Sequence, residues 1–240
     1  MRNSGAQLRR YCGVRFGFRV PSLYDGEMTE TMVAERCIDL GLVERTRLET
    51  DPFPYLIVPG FVPEAARAAL SADYPKIDRP GSFPTADLEF GPAFRDFLAA
   101  LEGPAMRDVF ARKFAMDLSG RPTMVTVRGQ AQLKDGSIHT DTPSKLITVL
   151  VYMNEAWEAP GGRLRLLRSP SSLDNAITEV PPAAGTLLAF KVTKNSWHGH
   201  APASGPRRVV QLNWVESEAV VRRERLRHGL SARVKKLLPF

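Results

Sequence analysis

Two histidines and one aspartate are spaced in this chain as the ligands of a single metal ion would be. His139 stands two residues before Asp141, and His198 follows 57 residues after Asp141. Two imidazoles and one carboxylate make up the donor set that covers one face of an octahedral Fe(II) and leaves the remaining positions open to other ligands. Residues i and i+2 of an extended segment project to the same side, so His139 and Asp141 can reach one ion. His198 has to arrive from a non-local strand. His200 shares its strand parity and competes for the role. By themselves a His-x-Asp pair is also compatible with a capped surface turn, and a lone His with core packing. The chemistry therefore depends on a scaffold that brings distant segments together.

The sequence after Met124 has the pattern of such a scaffold. Apolar residues alternate over Met124–Leu133, Ser144–Asn154, Gly162–Leu167, Ile177–Val180, Thr186–Lys191 and Arg208–Trp214, and Pro, Gly and Asp clusters separate these runs. Short antiparallel strands at this spacing predict a two-sheet jelly roll, a double-stranded β-helix. Upstream, the period is helical. Pro63 at a first turn opens a helix over Glu64–Leu70, and apolar stripes run through Gly91–Glu102 and Pro104–Phe114. Thr29–Leu48 reads as one or two short helices, and the Pro-flanked run 52–61 as an edge strand. The fold class is thus mainly β with flanking helices: a jelly-roll core, an N-terminal helical shoulder and a C-terminal helix.

The division that follows is a basic leader at 1–31, one domain over 32–218 (shoulder 32–120, core 121–218) and a basic helix at 219–240. The leader reads as a disordered arm or as sequence upstream of a later start at Met28 or Met32. The net charge of +7 belongs to the ends. Residues 1–22 carry five Arg and no acid, and residues 219–240 carry seven Lys/Arg and one Glu, so the body from 23 to 218 is about −4. A basic surface tracking nucleic acid across the core is not expected. The last segment has an apolar stripe (Leu226, Leu230, Val234, Leu237) opposite its cations. It suits docking on the domain, or contact with a membrane surface or a partner. No window approaches 18 apolar residues. The two cysteines, Cys12 and Cys37, are expected outside the core domain, and a cytoplasmic location is the expectation.

From Asp135 to Trp214 the chain resembles the prolyl 4-hydroxylase-like branch of the iron(II)- and 2-oxoglutarate-dependent oxygenases. The matching pieces are IHTD at 138–141, LITVLVYMNEAW at 146–157, PGGRL at 160–164, PAAGTLLAF at 182–190 and WHGHAPASGPRR at 197–208. They come in the family's order and cover about a third of the chain. The resemblance implies Fe(II) held by His139, Asp141 and His198, with 2-oxoglutarate and O2 as co-substrates and ascorbate as a candidate reductant. It places Arg208, ten residues after His198, on the far carboxylate of 2-oxoglutarate, with help from the hydroxyl of Tyr152. A guanidinium suits that task because it forms a planar fork with a carboxylate and stays charged when desolvated. Parity puts Arg208 with Val210, Leu212 and Trp214, and Arg207 on the other face. Thr148 and Leu150 share the parity of Tyr152 and are expected beside it.

The implied activity is that of a dioxygenase that hydroxylates a C–H bond and releases succinate and CO2. Two alternatives stand beside it: a non-catalytic jelly-roll binding module, and a cupin-type metal dioxygenase that uses no 2-oxoglutarate. One departure from the branch is clear. Relatives carry a tyrosine about ten residues before the first iron histidine, whereas residues 127–134 here read VRGQAQLK. Arg128, Gln130 and Gln132 are the candidates to replace it. The substrate, small molecule or protein, is left open, as is the oligomeric state. The shoulder and the loop Arg168–Thr178 are expected to shape the substrate mouth.

Overall fold

The computed structural model describes residues 37–224 and residue 226. The leader at 1–31, and the stripe and cations of the final helix beyond Leu226, lie outside the described residues. The order is α1 (Leu40–Arg45), β1 (Tyr55–Val58), α2 (Glu64–Asp73), β2 (Phe83–Pro84), α3 (Pro92–Glu102), α4 (Pro104–Lys113), β3 (Thr123–Ala131), β4 (Lys145–Tyr152), β5 (Leu164–Leu167), β6 (Ala176–Val180), β7 (Leu187–Lys191), β8 (His198–Gly199) and β9 (Gly205–Val215). Residues 218–224 begin the final helix, and Val220 and Val221 dock it on Val215 and Met124. No described helix is long and apolar enough to cross a membrane.

Two antiparallel sheets form the jelly roll. The larger has the order β1-β7-β4-β9-β3-β2 and the smaller β6-β5-β8. β1 and β2 take the edges of the larger sheet, which explains how they tolerate neighbouring prolines. Both faces of its central strands are covered, so alternation in β4 and β9 separates two buried environments, not core from solvent. One face carries Ile147, Val149, Val151, Val210, Leu212 and Trp214 against the helices. Trp214 lies against Phe110 there, with ring centroids 5.1 Å apart. The opposite face turns toward the smaller sheet, where Tyr152, Leu164, Leu166, Leu188, Phe190 and Val209 form a second core cluster.

The helices of the shoulder cover the back of the larger sheet, where their apolar stripes match the outward apolar set of β3, β4 and β9, while residues 77–84 of the shoulder run along the β3 edge beside Arg128. Cys37 precedes the jelly-roll strands, as expected, and is buried within the main apolar cluster.

Candidate metal centre

His139 and His198 meet through their backbones. His139 donates its amide to the His198 carbonyl at 3.0 Å and accepts from the His198 amide at 2.9 Å. This single antiparallel bridge adds His139 to the outer side of β8 and faces the two imidazoles, with centroids 4.4 Å apart. Gly136 makes the approach possible. At φ +94°, it accepts from the His200 amide at 2.9 Å, and a Cβ there would lie 2.4 Å from the His200 carbonyl oxygen. Asp141 follows, so ligand atoms of His139, Asp141 and His198 all lie within 4.8 Å of one another.

Each donor is fixed from behind. The Nδ1 atoms of His139 and His198 sit 2.8 Å and 2.9 Å from the carbonyls of Ser137 and Ser196. A proton on Nδ1 satisfies each carbonyl and leaves Nε2 as the lone-pair donor, as metal-bound histidines are commonly oriented. Burial pushes the His198 pKa down to about 4, with the Asp141 charge opposing and His139 adding to the depression. The ring is therefore neutral at neutral pH. For Asp141, burial works against ionisation. The charge of Lys145, then that of His198, and hydrogen bonds from Lys145 and Thr148 outweigh it and hold the carboxyl below the ordinary range. Lys145 Nζ donates to Oδ1 at 2.7 Å, and Thr148 Oγ1 donates to Oδ2. Behind Thr148 runs a cross-strand chain: Asn213 Nδ2 donates to Thr148 Oγ1 at 2.8 Å, and Gln211 Nε2 donates to Asn213 Oδ1 at 2.9 Å.

A cavity of about 120 Å³ opens beside the triad and is lined by Arg128, Thr148, Leu150, His200, Arg207 and Gln211 among others. Its arginine on β9 is Arg207, not Arg208. Arg208 projects to the helix side, where Nη1 donates to Ser71 Oγ at 3.0 Å and the guanidinium lies 5.2 Å from the Tyr74 ring. Its strand-mates Val210, Leu212 and Trp214 do form an apolar set, but that set faces the shoulder. The inner set is Arg207, Val209, Gln211 and Asn213.

Arg207 is 6% exposed. Its Nε donates to the Gly162 carbonyl at 3.0 Å, and among the described residues it has no carboxylate partner. Tyr152 is fully buried beneath it, with the Arg207 guanidinium 5.8 Å from the ring centroid. The Tyr152 hydroxyl is buried without a well-formed hydrogen bond, and burial, partly offset by Arg207, raises its pKa to about 12. Desolvating a cation and a hydroxyl this way is costly unless an acceptor meets both. A carboxylate is such an acceptor, and a small dicarboxylate would span from this bay toward the triad.

Of the candidates for the missing tyrosine, the structure brings Arg128 to the cavity. Gln132 turns to Asp135. His200 lines the cavity through a ring held by the Ala201 carbonyl at 2.9 Å, and its ligating atoms are not among the triad. Gly161 acts through its backbone: a Cβ would meet the Pro202 carbonyl oxygen at 2.0 Å.

The family model described as the 2OG-Fe(II) oxygenase superfamily matches residues 130–216. That span contains the triad, Tyr152 and Arg207. The fold is shared with a prolyl-4-hydroxylase from Pseudomonas putida, at a TM-score of 0.50 and 19% identity over 74% of this chain and 98% of that one. It is also shared with a prolyl hydroxylase from Trichoplax adhaerens, solved with a hypoxia inducible factor oxygen degradation domain peptide. That match has a TM-score of 0.50 and 15% identity over 73% of this chain and 88% of that one. No curated protein matches the chain.

Proposed function

We propose that the protein is an oxygenase of the 2OG-Fe(II) superfamily, whose family model matches residues 130–216, and that it hydroxylates a C–H bond while converting 2-oxoglutarate to succinate and CO2. One observation carries the reading: a buried arginine without a carboxylate partner among the described residues shares a small cavity with a His-Asp-His triad. The triad alone would also suit a cupin-type dioxygenase, whose chemistry has no use for a buried guanidinium aimed into the pocket.

The donor set fits ferrous iron, with nitrogen and carboxylate oxygen and no thiolate. His139 and His198 would hold it through Nε2 and Asp141 through one carboxylate oxygen. Arg207 and the Tyr152 hydroxyl would take the far carboxylate of 2-oxoglutarate. When bound, iron, 2-oxoglutarate and O2 supply the oxidising chemistry. The residues of the chain do the rest. Lys145 and Thr148 keep Asp141 ionised and oriented, the two serine carbonyls set the histidine tautomers, and Leu150, Leu164 and Val209 line the cavity with apolar surface. His139 is the exposed member of the triad, so the substrate C–H reaches the site from that side.

The test is substrate-stimulated succinate release by the iron-loaded protein. Prolyl peptides head the screen, since both fold neighbours are prolyl hydroxylases, followed by free amino acids and by lipid and saccharide intermediates. Turnover should vanish in His139→Ala and Asp141→Ala. Unchanged turnover in either would remove the site assignment. An iron-dependent reaction that consumes no 2-oxoglutarate would favour the cupin-type alternative.

A further inference from the structure

The cavity holds a second guanidinium. Arg128 comes from β3, where it pairs with Val209 of β9, so it stands one pleat from Arg207 on the same inner face. The Tyr74 hydroxyl donates to its backbone carbonyl at 2.6 Å, which pins the strand at that residue. Its side chain is less settled. The ion pair with Asp135 is 3.7 Å long, beyond hydrogen-bond length. Burial lowers the Arg128 pKa; the Asp135 charge opposes this and the like charge of Arg207 adds to it. Two cations lining one small cavity repel each other unless an anion lies between them.

Volume decides which anion. The cavity measures about 120 Å³. A site of about 150 Å³ holds a single benzene. The inner bay thus admits one small molecule, and a large substrate has to remain outside it. A carboxylate offers about four acceptor sites, of which one arginine fork fills two. The remaining sites are available to a second fork.

We propose that Arg128 is a second binding residue for the far carboxylate of 2-oxoglutarate, so that Arg207 and Arg128 clamp it from neighbouring strands while Tyr152 donates from β4. This rests on the 2-oxoglutarate reading above. Asp135 then balances the cation that one carboxylate leaves over.

The experiment is calorimetric titration of the Mn(II)-loaded full chain with 2-oxoglutarate and with 2-oxobutyrate, which lacks the far carboxylate. Arg128→Gln should weaken 2-oxoglutarate by about tenfold to a hundredfold, the range expected for hydrogen bonds to a charged group. It should leave 2-oxobutyrate unchanged. Arg128→Lys should recover part of the loss, because it keeps the charge and gives up the fork. If Arg128→Gln does not fold, Arg128→Lys carries the comparison, and its preference for 2-oxoglutarate over 2-oxobutyrate must fall. An unaltered preference in the Arg128 variants, with that of Arg207→Gln abolished, would overturn the role of Arg128 alone. Equal weakening of both ligands would overturn it as well, marking a structural effect. If the unmodified protein shows no preference for 2-oxoglutarate, the co-substrate reading itself falls.

Discussion

Replacing Thr148 with Val separates what holds the protein together from what holds the metal. Valine keeps the shape of threonine at a site that is 2% exposed and removes only the hydroxyl. Two bonds go with it, the one given to Asp141 Oδ2 and the one accepted from Asn213 Nδ2 at 2.8 Å. The first is charge-assisted and is worth about 1.5–3 kcal/mol, and a stranded buried amide adds about 1–3 kcal/mol. Lys145 remains on Oδ1, so Asp141 keeps its charge and loses part of its orientation. Urea unfolding of the metal-free variant should therefore show a loss of about 2–5 kcal/mol. Competition against a chromophoric chelator should show metal affinity reduced about 10–100-fold, as for other outer partners of metal ligands. Adding Asn213→Leu, close in shape, removes the stranded amide. The double variant should regain stability without regaining affinity. Metal binding by Thr148→Val within about twofold of the unmodified protein would refute the claim that this hydroxyl orients Asp141.

Other perturbations follow from the same geometry. Arg208→Gln should retain 2-oxoglutarate binding and lose about 1 kcal/mol of stability with its contacts to Ser71 and Tyr74, checked by calorimetry and thermal melting. Gly136→Ala forces a Cβ against the His200 carbonyl at a positive φ, so stability should fall by about 1–3 kcal/mol and metal affinity with it. In the metal-free protein, His198 resists a proton that the unfolded chain accepts. Its contribution is complete above 6.5 and is lost as pH falls from there through about 4. The full effect is on the order of 3 kcal/mol. Denaturation midpoints against pH should flatten over that window in His198→Gln.

His139, Asp141 and strand β4 were legible because their signals are local, whereas His198 was chosen over His200 only by the family resemblance. His139 and Asp141 share parity, and Thr148, Leu150 and Tyr152 alternate along one strand. The choice between Arg207 and Arg208 was not legible from alternation. Parity correctly groups Arg208 with Val210, Leu212 and Trp214, but an apolar set marks the cavity side only when the other face meets solvent. Here helices cover that apolar face, and the cavity takes the mixed set of Arg207, Val209 and Gln211. Nor could a two-residue strand such as β8 show any period, although it carries a ligand. Arg128 escaped assignment because Arg128, Gln130 and Gln132 share one parity, so alternation cannot sort them, and the register shift that separates Arg128 from Gln130 leaves no mark in the pattern.

The backbone bridge between His139 and His198 bears on which metal the protein acquires. Both imidazoles are set before any ion arrives, so binding one requires little rearrangement. A rigid site of two nitrogens and one oxygen holds cobalt, nickel and zinc at least as firmly as ferrous iron under the Irving–Williams order. The chain therefore governs where a divalent ion settles, while the cell's supply of metals governs which one. Protein purified in air or on a nickel column would carry the wrong occupant, and dialysis against chelator before anaerobic iron loading becomes part of measuring any activity at all.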